Sequence, residues 1–331
     1  MPETSNHDDP AWQVVKVNDG RSLQVLDYVD GLRDLQDGVL RAIGPAEERF
    51  AEDYLRMLRA VRFASRFGFS IESRTAAAIR AHARYLGQIS RERIGAELRA
   101  MLTGPRPAQS LTLLEQLNLD GPTLHEYHRQ SNLKRVQALT ELLRDYALAN
   151  PTISWMTWLM AWVLDRHLPL EETQVADVAA LRIAVEHWLA TAGNQQLSRL
   201  GKALVLTNDD LQVWRDGFKV LPLALGWNEL RMAAKKRALA SPGWSIAWVL
   251  TQTMTHACPS LQRWQAQVEQ EISELSKDGL APIPLVNGDD LIALGRKPGP
   301  VFRRLLEQAY DLQLEGQLQS RTQALDWLAS Q

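Results

Sequence analysis

A mainly helical fold is expected for this 331-residue chain, on three observations. Apolar residues recur at three- and four-residue spacing, as in Ile153–Leu164, where Trp155, Trp158 and Trp162 share one helical stripe. Pro and Gly punctuate the segments between such runs, at Pro105 and Pro107, at Gly121-Pro122 and through Ala281–Leu285. No strand–helix–strand rhythm is present, so a parallel sheet is not expected.

Composition narrows the class. Hydrophobic content of 45% and charged content of 23% are those of a soluble globular protein, and the length allows two or more compact units. No apolar run approaches the roughly 18 residues of a membrane span. The polar, acidic start MPETSNHDDPAW is not a secretory signal. The single cysteine, Cys258, excludes an internal disulfide framework, suits the reducing cytoplasm and reads as a small buried residue. A formal charge of -2 predicts no general affinity for polyanions, so any nucleic-acid binding must come from a local patch.

Taken in order, Met1–Pro10 should be disordered. Trp12–Val17 alternates, Asn18-Asp19-Gly20 signals a turn, and Leu23–Val29 is a second β-like run, so the two form a hairpin that needs a neighbour. Glu48–Leu102 follows, helical and distinctive. From Glu47 to Arg106 there are twelve Arg and no Lys against seven acids, a local charge of +5. Arg offers a planar fork of donors for a phosphate or a base edge, where Lys offers a point charge. Asp53, Arg56, Arg59 and Arg62 recur every third residue, which on one helix makes Asp53–Arg56 and Arg59–Arg62 adjacent pairs, with Leu55, Leu58, Val61 and Phe63 turned to a core. Two readings stand: a phosphate or nucleotide site, or a solvated face laced by internal salt bridges.

Beyond the break at Pro105, Ala108–Leu119 reads as a short helix and Leu124–Leu148 as one or two amphipathic ones. His125 and His128 lack further ligands at metal spacing and read as a surface pair. Ile153–Leu164 is too short for a bilayer and reads as a buried core helix rather than a base-stacking stripe. Helices are expected over Glu171–Ala190, Leu200–Val205, Asp209–Val220, Asn228–Ala240, Trp244–Met254 and Leu261–Leu275, with tryptophans as packing anchors. Lys235-Lys236-Arg237 is either a solvated helix end or a contact for an RNA backbone. Near the end, Asn287-Gly288-Asp289-Asp290 caps a short helix, and the turn Gly295–Pro300 feeds a helix over Val301–Leu312. That helix start, with Arg296, Lys297, Arg303 and Arg304, is either an anion site or a plain helix–turn–helix.

Four stretches carry a family resemblance. AEDYLRMLRAVRFASRFGFSIE resembles the neck motif of the class II tRNA nucleotidyltransferase (CCA-adding enzyme) and poly(A) polymerase family, E-D-x-x-R-x-x-R-x-x-R-F followed by Gly-Phe. Tyr54 departs from it, standing where the family usually has Pro. QISRERIGAEL, from Gln88 to Leu98, resembles the second neck motif. Asp27, Gly31, Asp34 and Leu35 match the junction between catalytic head and neck, and GDDLIALGRKPGPVF resembles the C-terminal end of long bacterial members.

The resemblance implies that Asp53 and Arg56 read the Watson–Crick edge of CTP or ATP, that Arg59 and Arg62 contact phosphates and sugar, and that Arg91, Arg93 and Glu97 brace the first neck helix. It makes tRNA the partner, with Arg296, Lys297, Arg303 and Arg304 as RNA contacts. The family's head carries an Asp-x-Asp pair for Mg²⁺. No such pair precedes Val29, and Asp8-Asp9 is adjacent rather than alternating. The chain is therefore read as neck, body and tail, its N-terminal hairpin a remnant of the head. The expected division is 1–44 for tail and head remnant, 45–106 for the neck, 107–280 for a helical body and 281–331 for a C-terminal tail. The implied function is nucleotide selection and tRNA binding in 3′-end CCA addition, without transfer by this chain alone, and with a separate catalytic head as a further partner. Poly(A) polymerase, or a non-catalytic RNA-binding helical protein, are the alternatives.

Overall fold

The computed structural model of the protein describes residues 11–16, 22–126, 143–144, 153–168, 177–256, 259–277 and 279–331. Met1–Pro10, the Asn18–Gly20 turn, His128, most of Leu124–Leu148, the start of the helix expected from Glu171, and Cys258 lie outside them. The chain divides into two compact units, residues 1–162 with 198–206, and residues 163–197 with 207–331.

In the first unit, β1 (Ala11–Lys16) and β2 (Ser22–Asp27) pair antiparallel, with Ala11 opposite Asp27 and Lys16 opposite Ser22. The Asp27 carboxylate accepts from the backbone N–H groups of Leu32, Val29 and Gly31 at 2.8, 3.1 and 2.9 Å, which hold its pKa below the usual range. It thereby ties the hairpin to α1 (Gly31–Asp37). The two-residue strand β3 (Val39–Leu40) is followed by α2 (Ala46–Glu52) and α3 (Leu55–Phe67). β4 (Ser70–Ile71) then pairs parallel with β3, Val39 opposite Ser70. Next come α4 (Ser73–His82), a 3₁₀ turn over Ala83–Gln88, α5 (Arg91–Leu102), α6 (Pro107–Gln116), α7 (Asp120–Leu124) and the start of α8 (Trp155–His167).

The helix α3 is the hub of this unit. Met57, Leu58, Val61 and Ala64 fall on one face at i, i+1, i+4 and i+7, and all four are fully buried. That face packs against α5 and α6, which leaves the arginines on the flanks. Gly68 ends α3 in the left-handed region at φ 75°, its N–H returning to the Ala64 carbonyl. On α5, Gly95 lies so close to the end of a distant helix that a Cβ there would sit 2.2 Å from the Leu204 carbonyl oxygen. Trp158 and Trp162 are buried, and Trp162 Nε1 donates to Glu115 at 2.9 Å, so these two are core, while Trp155 is half-buried with the Arg99 guanidinium 4.0 Å from its ring.

The second unit begins within α8 and continues through α9 (Val178–Trp188), a π-helical turn over Leu189–Gly193, and α10 (Asn194–Leu204), whose end belongs to the first unit. After it come α11 (Asn208–Leu225), α12 (Met232–Leu239), α13 (Trp244–His256) and α14 (Pro259–Lys277). The chain closes with α15 (Gly288–Ala293), α16 (Pro300–Leu314) and α17 (Arg321–Ala329). Trp227, Trp244, Trp248 and Trp264 form a continuous row with centroids 5.3, 5.6 and 6.4 Å apart. Val286, Leu291, Leu305, Ala309, Leu318, Ala324 and Leu328 make a separate small core under α15–α17. Asn287 caps α15 with a reciprocal bond from Asp290, the arrangement its sequence announces. Among the described residues no helix is long and apolar enough to cross a membrane.

Candidate functional site

The sequence places Asp53 on one helix with Arg56, but the structure breaks the helix there. Asp53 is extended, at φ -158° and ψ 104°, between α2 and α3. A local side-chain bond competes with helix continuation: Asp53 Oδ1 accepts from the Leu55 N–H at 3.1 Å. Its other oxygen, Oδ2, accepts from Arg93 on α5 at 2.8 Å. Partial burial pushes the carboxyl pKa up, but Arg93 and the Leu55 N–H outweigh it and hold the group below its ordinary value.

Tyr54 begins the descent into α3 at φ -62°, the angle proline would impose. Its ring stacks on Tyr85 at 5.1 Å and faces His82 at 6.3 Å, while the Arg84 guanidinium lies 4.7 Å from the Tyr85 centroid. An aromatic stack thus fixes the position next to Asp53.

The arginines of α3 share their acids. Arg56 pairs with Glu52 and donates to the Arg49 carbonyl at 2.8 Å, while Arg49 also reaches Glu52 at 3.1 Å. Arg56 is the chief cause of a lowered Glu52 pKa. Arg62 Nε donates to Glu97 at 2.6 Å, and Arg59 lies 3.8 Å from the same carboxylate. Arg93 and Glu97 therefore both reach from α5 to the start and middle of the first neck helix. Arg91 turns away from α3 and donates to the carbonyls of Ala203 at 2.7 Å, Pro122 at 3.0 Å and Thr123.

Two clefts flank α3. One, of about 360 Å³, is lined by Arg41, Arg49, Arg56 and Arg59 over Phe50 and Phe63. Arg56 and Arg59 are 40% and 50% exposed, so their ion pairs can be exchanged for a ligand phosphate at small cost. The Asp53 carboxylate is of the type that accepts from an exocyclic amine. Arg41 escaped the sequence reading because no motif surrounds it. The β3–β4 pairing places it, and Asp34 at 2.9 Å and Glu72 at 3.8 Å hold it. The second cleft, of about 430 Å³, is lined by Arg62, Arg66 and Arg106.

The remaining candidates lie in the second unit. Arg303 pairs with Glu307 at 2.9 Å, whereas Arg296, Lys297 and Arg304 show no ion pair among the described residues. The cluster on α12 is not a free helix end: Lys235 binds Glu271 at 2.7 Å and Arg237 binds Asp311 at 2.6 Å. Among the described residues no group of three or more His, Cys, Asp or Glu is placed to hold a metal ion.

Comparison with known proteins shows several likenesses. Residues 68–128 match the family described as "Probable RNA and SrmB- binding site of polymerase A". The CCA-adding enzyme of Lactiplantibacillus plantarum is 38% identical over 165 residues, which are 50% of this chain and 37% of that protein. The CCA-adding enzyme of Latilactobacillus sakei is 29% identical over 290 residues, 86% of this chain and 62% of that protein. The chain thus spans between 37% and 62% of the length of these two relatives. In fold it is similar to the Bacillus stearothermophilus CCA-adding enzyme in complex with CTP, with a TM-score of 0.58 and 23% identity, over 96% of this chain and 70% of the other. It is also similar to the Thermotoga maritima CCA-adding enzyme complexed with tRNA, with a TM-score of 0.55 and 17% identity, over 98% and 80% of the two chains.

The chain is similar to CCA-adding enzymes over much of its length, and over residues 68–128 to an RNA-binding family of polymerase A.

Proposed function

We propose that this chain selects CTP and ATP with its neck and holds tRNA with its helical body and tail, in cytoplasmic 3′-end CCA addition. The observation that carries the reading is the helix break at Asp53. It sets the Asp53 carboxylate, within reach of the Arg56 charge, at the start of α3, whose Arg56 and Arg59 line a cleft with Arg41 and Arg49. A carboxylate accepts from the exocyclic amine that cytosine and adenine share, and a guanidinium donates to ring nitrogen and carbonyl. Arg59, which lines that cleft, is then at hand for phosphate and sugar, and Arg62, one turn on at the edge of the second cleft, reaches them only if it serves both; Arg93 and Glu97 fix Asp53 and Arg62 from behind. Arg91 supports the site indirectly, by anchoring α5. Arg296, Lys297, Arg303 and Arg304 are assigned to the RNA backbone. No step through Mg²⁺ is assigned to these residues; a separate catalytic head is the proposed source of the metal aspartates.

The test is titration of the purified chain with CTP, ATP and fluorescent tRNA across a salt series. The reading requires nucleotide binding that Asp53→Ala and Arg56→Ala abolish, with steeply salt-dependent tRNA binding that survives both. Binding of ATP without CTP would instead favour the poly(A) polymerase reading. Binding of tRNA without either nucleotide would leave a non-catalytic RNA-binding protein.

A further inference from the structure

The cleft on the far flank of α3 has a different chemistry from the one beside Asp53. Three guanidinium-bearing side chains line it, Arg62, Arg66 and Arg106, together with the turn Thr103–Pro105. No carboxylate and no aromatic ring lines it, so no side-chain carboxylate is there to accept from a base's exocyclic amine. Arg62 uses Nε on Glu97 at 2.6 Å, and a guanidinium has four further N–H donors. Arg106 lies against Gly68, where a Cβ would meet its guanidinium at 3.1 Å. From there its Nη1 donates to the Arg66 carbonyl at 2.9 Å, which caps the end of α3 and fixes the guanidinium in place. Arg66 is exposed and makes no ion pair among the described residues, its nearest ring being Phe67 at 5.9 Å.

We infer that this cleft is a binding site for a backbone phosphate of RNA, separate from the nucleotide cleft. A cavity walled by three guanidinium groups, of which Arg62 alone has a paired acid in Glu97 among the described residues, suits a phosphate oxyanion. A strand is favoured over a free nucleotide because the walls carry no carboxylate for the exocyclic amine of cytosine or adenine, while Thr103–Pro105 and Arg106 fall within the segment 68–128 matched to an RNA-binding family. The inference rests on the proposed function, since it makes the two flanks of one helix serve the two substrates of that reaction.

Arg66 is the residue to test, because Arg106 also caps a helix. The purified full chain is titrated with tRNA over a salt series, with CTP, and with inorganic phosphate as competitor. Arg66→Ala should weaken tRNA binding about fivefold and reduce the salt slope by about 1, with CTP binding unchanged. Arg66→Glu should weaken it more, and Arg66→Lys should restore most of it by returning the charge. If all three variants bind tRNA with the affinity and slope of the parent, the cleft proposal is overturned while the proposed function stands. If they lose CTP rather than tRNA, or millimolar phosphate displaces nothing but CTP, the site belongs to a free nucleotide and the proposal fails. If the parent chain binds no tRNA, this proposal and the functional reading fall together.

Discussion

Two basic segments that look alike in sequence, Arg56–Arg66 and Lys235–Arg237, end in opposite states. On α12, Lys235 and Arg237 each have an acid of their own, Glu271 and Asp311. On and beside α3, Arg49, Arg56, Arg59 and Arg62 share two glutamates, Glu52 and Glu97, and Arg66 has none. Charge density along the chain is thus a poor guide to a binding surface; the ratio of guanidinium groups to the acids that reach them is the informative quantity. The α12 cations are part of the packing, while those of α3 have capacity left for a ligand.

The sharpest way to break the neck is through its tightest contact. Gly95→Ala places a methyl 2.2 Å from the Leu204 carbonyl and should cost about 3 kcal/mol. Gly299→Ala, with nothing within 4 Å, should change stability by less than about 0.5 kcal/mol. Thermal unfolding of the two variants checks the pair. The α12 side of the comparison is tested by Glu271→Gln. That carboxylate accepts from Trp227 Nε1 at 2.8 Å and from Lys235 Nζ at 2.7 Å. The change should cost about 2 kcal/mol and alter tryptophan emission, with no effect on CTP affinity.

A smaller effect sharpens the neck side. Glu97→Gln removes the carboxylate shared by Arg59 and Arg62, so stability should fall by about 1 kcal/mol while affinity for tRNA or nucleotide rises several-fold. Unchanged or weaker binding would mean that the sharing of acids does not set the capacity of α3. The smallest effect concerns pH. The Asp53 pKa is depressed in the folded chain, so its pairing with Arg93 contributes fully above the ordinary value of 3.8 and is lost as pH falls through the lower folded value. The contribution is under about 1 kcal/mol. Arg93→Ala should flatten that acid limb of the stability curve, and an unaltered limb would remove Asp53 from it.

Much of the fold was legible because its signals are local. Asn287 with Asp290, and Pro300 opening α16, are capping features read within four residues, whereas Gly68, read only as part of a Gly-Phe pair, proves to close α3. The break at Asp53 was not legible, since neither Pro nor Gly marks it and a single side-chain bond to Leu55 decides it. Arg41 and Arg106 join the two clefts through contacts 30 or more residues away, with Glu72 and Arg66, and no window along the chain shows such contacts. The one-to-one pairing on α12 was hidden for the same reason, its acids standing 36 and 74 residues downstream.

The seat of α5 has a consequence for synthesis. Arg91 is held by the Ala203 carbonyl, and Gly95 packs against Leu204, both more than a hundred positions later in the chain. On a ribosome adding about 5–20 residues per second, that back wall is missing for roughly 5–20 s after α5 emerges. Throughout that delay the arginine surface exists as unsupported helices, and a nascent chain would be open to premature capture by the abundant RNA around it. The native seat of α5 is complete only once α10 has been made.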